Sequence, residues 1–182
     1  MLESMLMSST VRRVHYTYEQ YVALEEESSI RHEYLDGEIY AMAGGSPDHA
    51  ALAATVIGLL GSQLPRGYRL FTSDLRIRIP SSGLSTYPDV AVVNPVLLVE
   101  ITSNSTEEYD RGEKLRHYKY LQSVREILIV SHGEPFLTLH RREVTDWVTI
   151  EARRGQAVAL ASVAARLSVD ELYRDELEDV RS

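Results

Sequence analysis

The chain has 182 residues, 44% of them hydrophobic and 25% charged, with a formal net charge of −8. That length and balance describe a single globular domain with a substantial core, and the acidic surplus excludes a protein that grips nucleic acid through its overall field. No apolar run approaches the ~20 residues of a membrane span, and the lack of cysteine excludes disulfides and thiolate metal sites, which fits the cytoplasm.

Residues 1–16 are expected to form a flexible lead-in, with one domain over 17–182. Glu3 and the lack of a clean apolar stretch argue against a signal peptide. Thr17 and Gln20 make a capping box that opens a short helix to about Leu24, and Glu25-Glu26-Glu27 reads as its solvated end. In HEYLDGEIYAM, Asp36-Gly37 is a turn signal between two short strands. Glu33, just before the first of them, is a candidate third acid, although taken alone it reads as surface before it reads as site.

Ser46 is a plausible N-cap with Pro47 at the first helical position, opening an apolar helix to about Leu64. Its apolar residues surround it almost completely, so it is expected to be central. His49, in its first turn, reads as a packed or capping residue before it reads as a ligand. Pro65-Arg66-Gly67 then turns the chain into a strand predicted from Tyr68 to Ile79. Strict alternation there puts Arg76 and Arg78 on one face, as solvated edge charges or, less readily, phosphate contacts. Pro80 to Thr86 is expected to be a loop.

Val90–Val93 and Val96–Val99 are near-continuous apolar runs, the mark of strands buried on both faces. Asn94-Pro95 punctuates them. In a two-residue hairpin Val93 faces Val96, and stepping outward sets Asp89 opposite Glu100, with Cβ atoms roughly 4.5–5.5 Å apart. Proline at the second turn position is disfavoured in the common turn. A loop longer by an even count keeps both acids on one face, whereas an odd slip separates them. Opposed carboxylates in a buried setting call for a cation, and hard Mg²⁺ or Mn²⁺ prefers such oxygens; the plainer reading is two solvated acids at a frayed end.

A polar loop follows Ile101, and a helix is predicted over about Glu107–Gln122. Asp110, Lys114, His117 and Tyr118 fall on roughly one of its faces, and Asp110–Lys114 could be an ordinary surface ion pair. Of 19 basic residues, only Lys114 and Lys119 are lysines. Strands are predicted at Glu126–Val130, Phe136–His140 and Trp147–Ala152 as a meander, with turns at Arg141-Arg142-Glu143 and Arg153-Arg154-Gly155. Ser168 opens a short capped helix ahead of an acidic tail.

Tyr-Pro-Asp89, Leu-Val-Glu100-Ile-Thr-Ser and Tyr-Asp110-Arg-Gly-Glu-Lys114, in that order and spacing, resemble the PD-(D/E)XK nuclease superfamily, and more narrowly the Uma-type group of restriction endonuclease-like proteins. HEYLDGEIYAMAGGSPDH and VREILIVS also resemble that group, so the likeness runs from about Thr17 to Arg142. It implies an α/β fold: a restriction-endonuclease-like core with a mixed central β-sheet flanked by helices. It also implies a divalent-metal-dependent endonuclease acting on DNA, with Asp89 and Glu100 as ligands of Mg²⁺ or Mn²⁺ and Lys114 as a charge stabiliser. Glu33 and Asp110 would be auxiliary acids. The superfamily's usual lysine two residues beyond the glutamate is replaced here by Thr102, which offers a neutral hydroxyl on the Glu100 strand face. The likeness, together with expected sheet edges, also implies a bacterial cytoplasmic homodimer. Two rivals remain: a nucleic-acid-binding or toxin-like module of the same fold with weak catalysis, and a small-substrate metal phosphoesterase.

Overall fold

The computed structural model describes residues 14–42, 44–92 and 96–174. Residues 1–13, most of the expected lead-in, lie outside them, as do Val93, Asn94 and Pro95, where the sequence put the hairpin's turn, and residues 175–182 of the expected acidic tail. Among the described residues no helix is long and apolar enough to cross a membrane.

Helix α1 (Tyr18–Glu27) starts with the expected reciprocal capping box between Thr17 and Gln20 and runs one turn further than the sequence indicated. Strands β1 (His32–Leu35) and β2 (Glu38–Ala41) pair antiparallel. Asp36 and Gly37 both take positive φ, 46° and 94°, as the tight hairpin turn requires. Helix α2 (Pro47–Gln63) is capped by Ser46, whose hydroxyl accepts from His49 N–H at 3.2 Å.

The single strand predicted from Tyr68 to Ile79 is two strands in two sheets. Strand β3 (Leu70–Thr72) pairs with β6 (Val90–Val92), while β4 (Ile77–Ile79) pairs with β5 (Leu84–Thr86). The break falls at Ser73-Asp74, where Thr72 Oγ1 donates to Asp74 at 2.8 Å and accepts from its N–H at 3.4 Å, a local turn chemistry that ends the ladder. The expected loop Pro80–Thr86 accordingly holds a 3-10 turn and β5. Arg76 and Arg78 share a face as expected, but it is one laid over α1: Arg78 stacks on the Tyr18 ring at 3.5 Å and Arg76 on Tyr21 at 5.6 Å.

The main sheet has six strands in the order β10-β9-β8-β7-β6-β3, made with β7 (Leu97–Ile101), β8 (Glu126–Val130), β9 (Phe136–Arg142) and β10 (Trp147–Arg153). The β7–β8 pair is parallel and its neighbours are antiparallel, so the sheet is mixed. The second sheet runs β2-β1-β5-β4. A hairpin not anticipated from the sequence, β11 (Ala157–Leu160) and β12 (Ala165–Ser168), precedes helix α5 (Val169–Leu172).

Alternation in β7 divides the core. Leu97, Val99 and Ile101 face α2 (Val56, Leu60) and the β11–β12 hairpin (Val158, Leu160, Leu167). Leu98 faces the other way, onto Leu115, Tyr118, and Ile77, Ile79 and Leu84 of the second sheet. Glu100 shares the Leu98 face. The helix expected over Glu107–Gln122 is built as α3 (Glu107–Tyr109), a π turn (Asp110–Lys114) and α4 (Leu115–Tyr118). It stops at Tyr118 because Arg142 gathers the terminal carbonyls, donating to Lys119 O at 2.8 Å, Leu121 O at 2.9 Å and Val124 O at 2.9 Å. Arg142 therefore belongs to β9 and a helix end, not to the turn in which the sequence placed it.

Candidate active site

The β6–β7 register pairs Val92 with Leu97, Ala91 with Leu98 and Val90 with Val99. One step outward along that register lie Asp89 and Glu100, as the sequence pattern indicated.

Four elements bring acids to the place where these two meet. Glu100 is buried in β7, and its Oε2 accepts from Lys114 Nζ at 3.0 Å while Oε1 accepts from the Tyr118 hydroxyl. Asp89 Oδ2 accepts from Ile101 N–H at 2.7 Å and lies 3.3 Å from His49 Nε2. Glu33, from β1, is held by Tyr109 OH at 2.9 Å and by the Thr86 hydroxyl. Lys114 Nζ also stands 3.4 Å from Glu33 Oε1 and 3.8 Å from Asp110 Oδ1. Asp110 and Lys114 are both buried, so they are no surface pair. The π turn is the local device that presents them, since such turns re-aim side chains within a helix and recur at functional sites.

Electrostatics follow from three carboxylates sharing one lysine, with Asp89 beside them. Burial pushes the Glu100 carboxyl well above its ordinary range; Lys114 opposes this, and Asp89 and Asp110 reinforce it. Burial likewise raises Asp110, against the pull of Lys114 and a Thr106 hydrogen bond. Burial disfavours the Lys114 ammonium, but Glu100, Tyr118, Glu33 and Asp110 outweigh it and hold its pKa well above normal. The hydrogen bond to Asp89 raises His49 despite partial burial.

The donor set consists of carboxylate oxygens with a surplus of negative charge, which suits a hard divalent cation. Among the described residues no three acids or histidines already converge on one point. Mg²⁺ does not need that: it keeps several waters and uses one or two carboxylates. Asp89 and Glu100 fit such a role.

Glu33, Asp89, Glu100, Asp110 and Lys114 therefore come together. Thr102 is buried beyond Glu100, but its hydroxyl accepts from His132 N–H at 3.3 Å. Three groups escaped the sequence reading: His49 at the Asp89 carboxylate, and Tyr109 and Tyr118 as hydroxyl donors. Tyr118 was legible, being on the helix face that carries Lys114. Tyr109 and His49 meet their acids only through long-range packing. Glu25, taken from the sequence as solvated, has its side chain only 5% exposed; it accepts from Tyr87 OH at 2.6 Å and pairs with His32 Nδ1 at 2.7 Å.

Asp89, Glu100 and Asp110 open onto a cleft of about 710 Å³ bounded by α2 and by the loops after β2 and β7. Residues 18–170 match the family model Uma2, described as "Putative restriction endonuclease". The chain belongs to the Uma2 family. Two Synechocystis sp. proteins are similar to this Uma2 chain. Slr1290 is 34% identical over 171 residues, covering 86% of this chain and 90% of its own, and sll1609 is 31% identical over 130 residues, covering 63% and 73%. A crystal structure from Anabaena variabilis, titled as a putative nuclease belonging to DUF820, shares the fold at TM-score 0.70 and 19% identity, over 85% of this chain and 96% of that one. The mixed α/β, restriction-endonuclease-like architecture expected from the sequence is thus the observed fold.

Proposed function

We propose that this Uma2 protein is a bacterial, cytoplasmic, divalent-metal-dependent endonuclease that hydrolyses phosphodiester bonds in DNA. The observation that carries this reading is the opposition of Asp89 and Glu100 at the open end of a buried hairpin, with Lys114 beside them. Asp89 and Glu100 would hold Mg²⁺ or Mn²⁺, which when bound supplies Lewis-acid charge and a more acidic water. The chain's own residues do the rest. Lys114 offers a fixed positive charge to a phosphoryl oxygen. Tyr118 and Ile101 N–H orient Glu100 and Asp89. Glu33 and Asp110 hold the Lys114 proton in place, and Tyr109 fixes Glu33.

Calorimetry should register Mn²⁺ binding that Asp89→Asn abolishes. Affinity should also weaken as pH falls, because protons compete for ligands that must be ionised and burial already raises Glu100. Equal affinity in both proteins would refute the ligand assignment. Divalent-dependent cleavage of plasmid DNA separates the endonuclease from a catalytically weak module, and a small phosphodiester assayed alongside separates it from a phosphoesterase.

A homodimer suits cutting of two strands by two copies of one site. It is supported by the edges at β3 and β10 of the larger sheet and at β2 and β4 of the smaller. Light scattering should give twice the 20.6 kDa chain mass at micromolar concentration; a monomer mass throughout would refute it.

A further inference from the structure

The cleft that holds the acids is short of positive charge. Among the described residues lining it, the groups able to carry a cation are Arg31, Lys114 and His49. Lys114 is already shared by Glu33, Glu100 and Asp110, and His49 is engaged by Asp89. Arg31 alone stands apart from the acids. It donates to Ser73 Oγ at 3.3 Å and pairs with Asp74, its side chain 42% exposed and that of Asp74 74% exposed. Its guanidinium lies 5.7 Å from the centre of the Tyr87 ring, itself part of the cleft lining.

The lining also includes the apolar side chains of Ile30, Met42, Ala53, Ala54 and Ile57. A duplex shows a protein its phosphates, and proteins that hold one do so with rows of lysine and arginine. One arginine does not make a row. An apolar wall is of use only to a base out of its stack, which presents a flat hydrophobic face. A cleft of about 710 Å³ is of ordinary small-ligand size, so it admits a short unpaired stretch and not the width of a double helix.

We propose that the cleft takes an unpaired strand of nucleic acid, Arg31 receiving one phosphate in place of Asp74 and the Ile30–Met42–α2 wall receiving a base. This rests on the nuclease reading and adds its substrate class: single strands, overhangs or flaps.

The test uses the full chain with Mg²⁺ and three labelled DNAs of one sequence: a single strand, a flush duplex, and a duplex with a short overhang. Anisotropy and cleavage are both read. The single strand and the overhang should bind at least tenfold more tightly than the flush duplex and be cut in their unpaired part. Arg31→Ala should weaken single-strand binding about tenfold and lower the salt slope by about 0.7, the share of one phosphate. Asp74→Asn, which frees Arg31, should tighten binding. A flush duplex bound and cut as well as the single strand overturns the proposal, as does Arg31→Ala with affinity and slope unchanged. If no DNA is bound or cut while Mn²⁺ still binds at Asp89, the nuclease reading itself has failed, and this proposal falls with it.

Discussion

Lys114→Ala should lower the rate of DNA cleavage on the order of 10²-fold or more, the usual cost of losing one charge contact made in the transition state. Metal binding should survive, since the proposed ligands are the carboxylates of Asp89 and Glu100. Lys119→Ala is the control on the same segment: its Nζ lies 5.6 Å from the Trp147 ring centre, and its loss should be nearly silent. The same variant should also show where the acids stand. Without Lys114, Glu33, Glu100 and Asp110 face one another with no cation, and the folded state suffers most where they are ionised. Glu100 and Asp110 have folded pKa values raised above 4.5 and 3.8. From those values upward the folded chain holds more protons than the unfolded one, so stability falls as pH rises through the raised pKa values. Lys114, raised in the folded state, stabilises throughout the range below its ordinary 10.5. Its removal should thus cost more Tm at pH 8 than at pH 5. Equal, mild effects of Lys114→Ala and Lys119→Ala on cleavage, with no pH dependence of the stability loss, would reduce Lys114 to a packing residue.

Glu126→Ala should be the most destabilising change outside the cleft. Glu126 is buried in β8, and its oxygens accept from Arg141 Nε at 2.8 Å, Ala161 N–H at 3.1 Å, Ser162 N–H at 2.9 Å and the Ser162 hydroxyl. That one carboxylate ties the β11–β12 hairpin to the sheet, and its loss leaves backbone donors without partners. About 3 kcal/mol is expected, a Tm lower by roughly 6–12 °C for a chain of this size. Glu126→Gln, which keeps an acceptor oxygen, should recover part of it. A melt within 2 °C of wild type for Glu126→Ala, on the order of 0.5–1 kcal/mol, would show that the hairpin holds without this anchor.

What could be read from the sequence was what repeats locally. Two apolar runs with acids at matching distances from their ends set Asp89 against Glu100, and alternation alone gave the Glu100 face. Thr17, Ser46 and Ser168 announced three helix starts, because a cap needs only its own next few residues. Residues whose partners are far along the chain stayed hidden. Glu33 looked like a surface acid because Thr86 and Tyr109, 53 and 76 residues away, are what bury it. Glu25 looked like part of a solvated run for the same reason, its partner Tyr87 being 62 residues on. The segment Tyr68–Ile79 read as one strand since its β-forming residues are nearly continuous, and only the Thr72–Asp74 turn divides it between sheets. The AVAL and ARLS strands of the last hairpin carry alanine in place of β-branched residues, a weak signal.

The separation of partners along the chain bears on how the acids are assembled during folding. Asp89, Glu100, Asp110 and Lys114 belong to one continuous β6–β7–helix segment, with the Ile101–Asp89 and Lys114–Glu100 contacts closing loops of only 12 and 14 residues. Glu33 joins from a hairpin whose contacts here span 53 to 81 residues. Closing short loops is fast and costs little entropy, while distant ones come late. Nascent chains would thus gather a partly neutralised knot of three acids and a lysine first and receive the fourth acid last. Docking of the hairpin around Asp36-Gly37 is then expected to be the last step in assembling the charge cluster, adding a further negative charge to a group in which acids already outnumber the lysine.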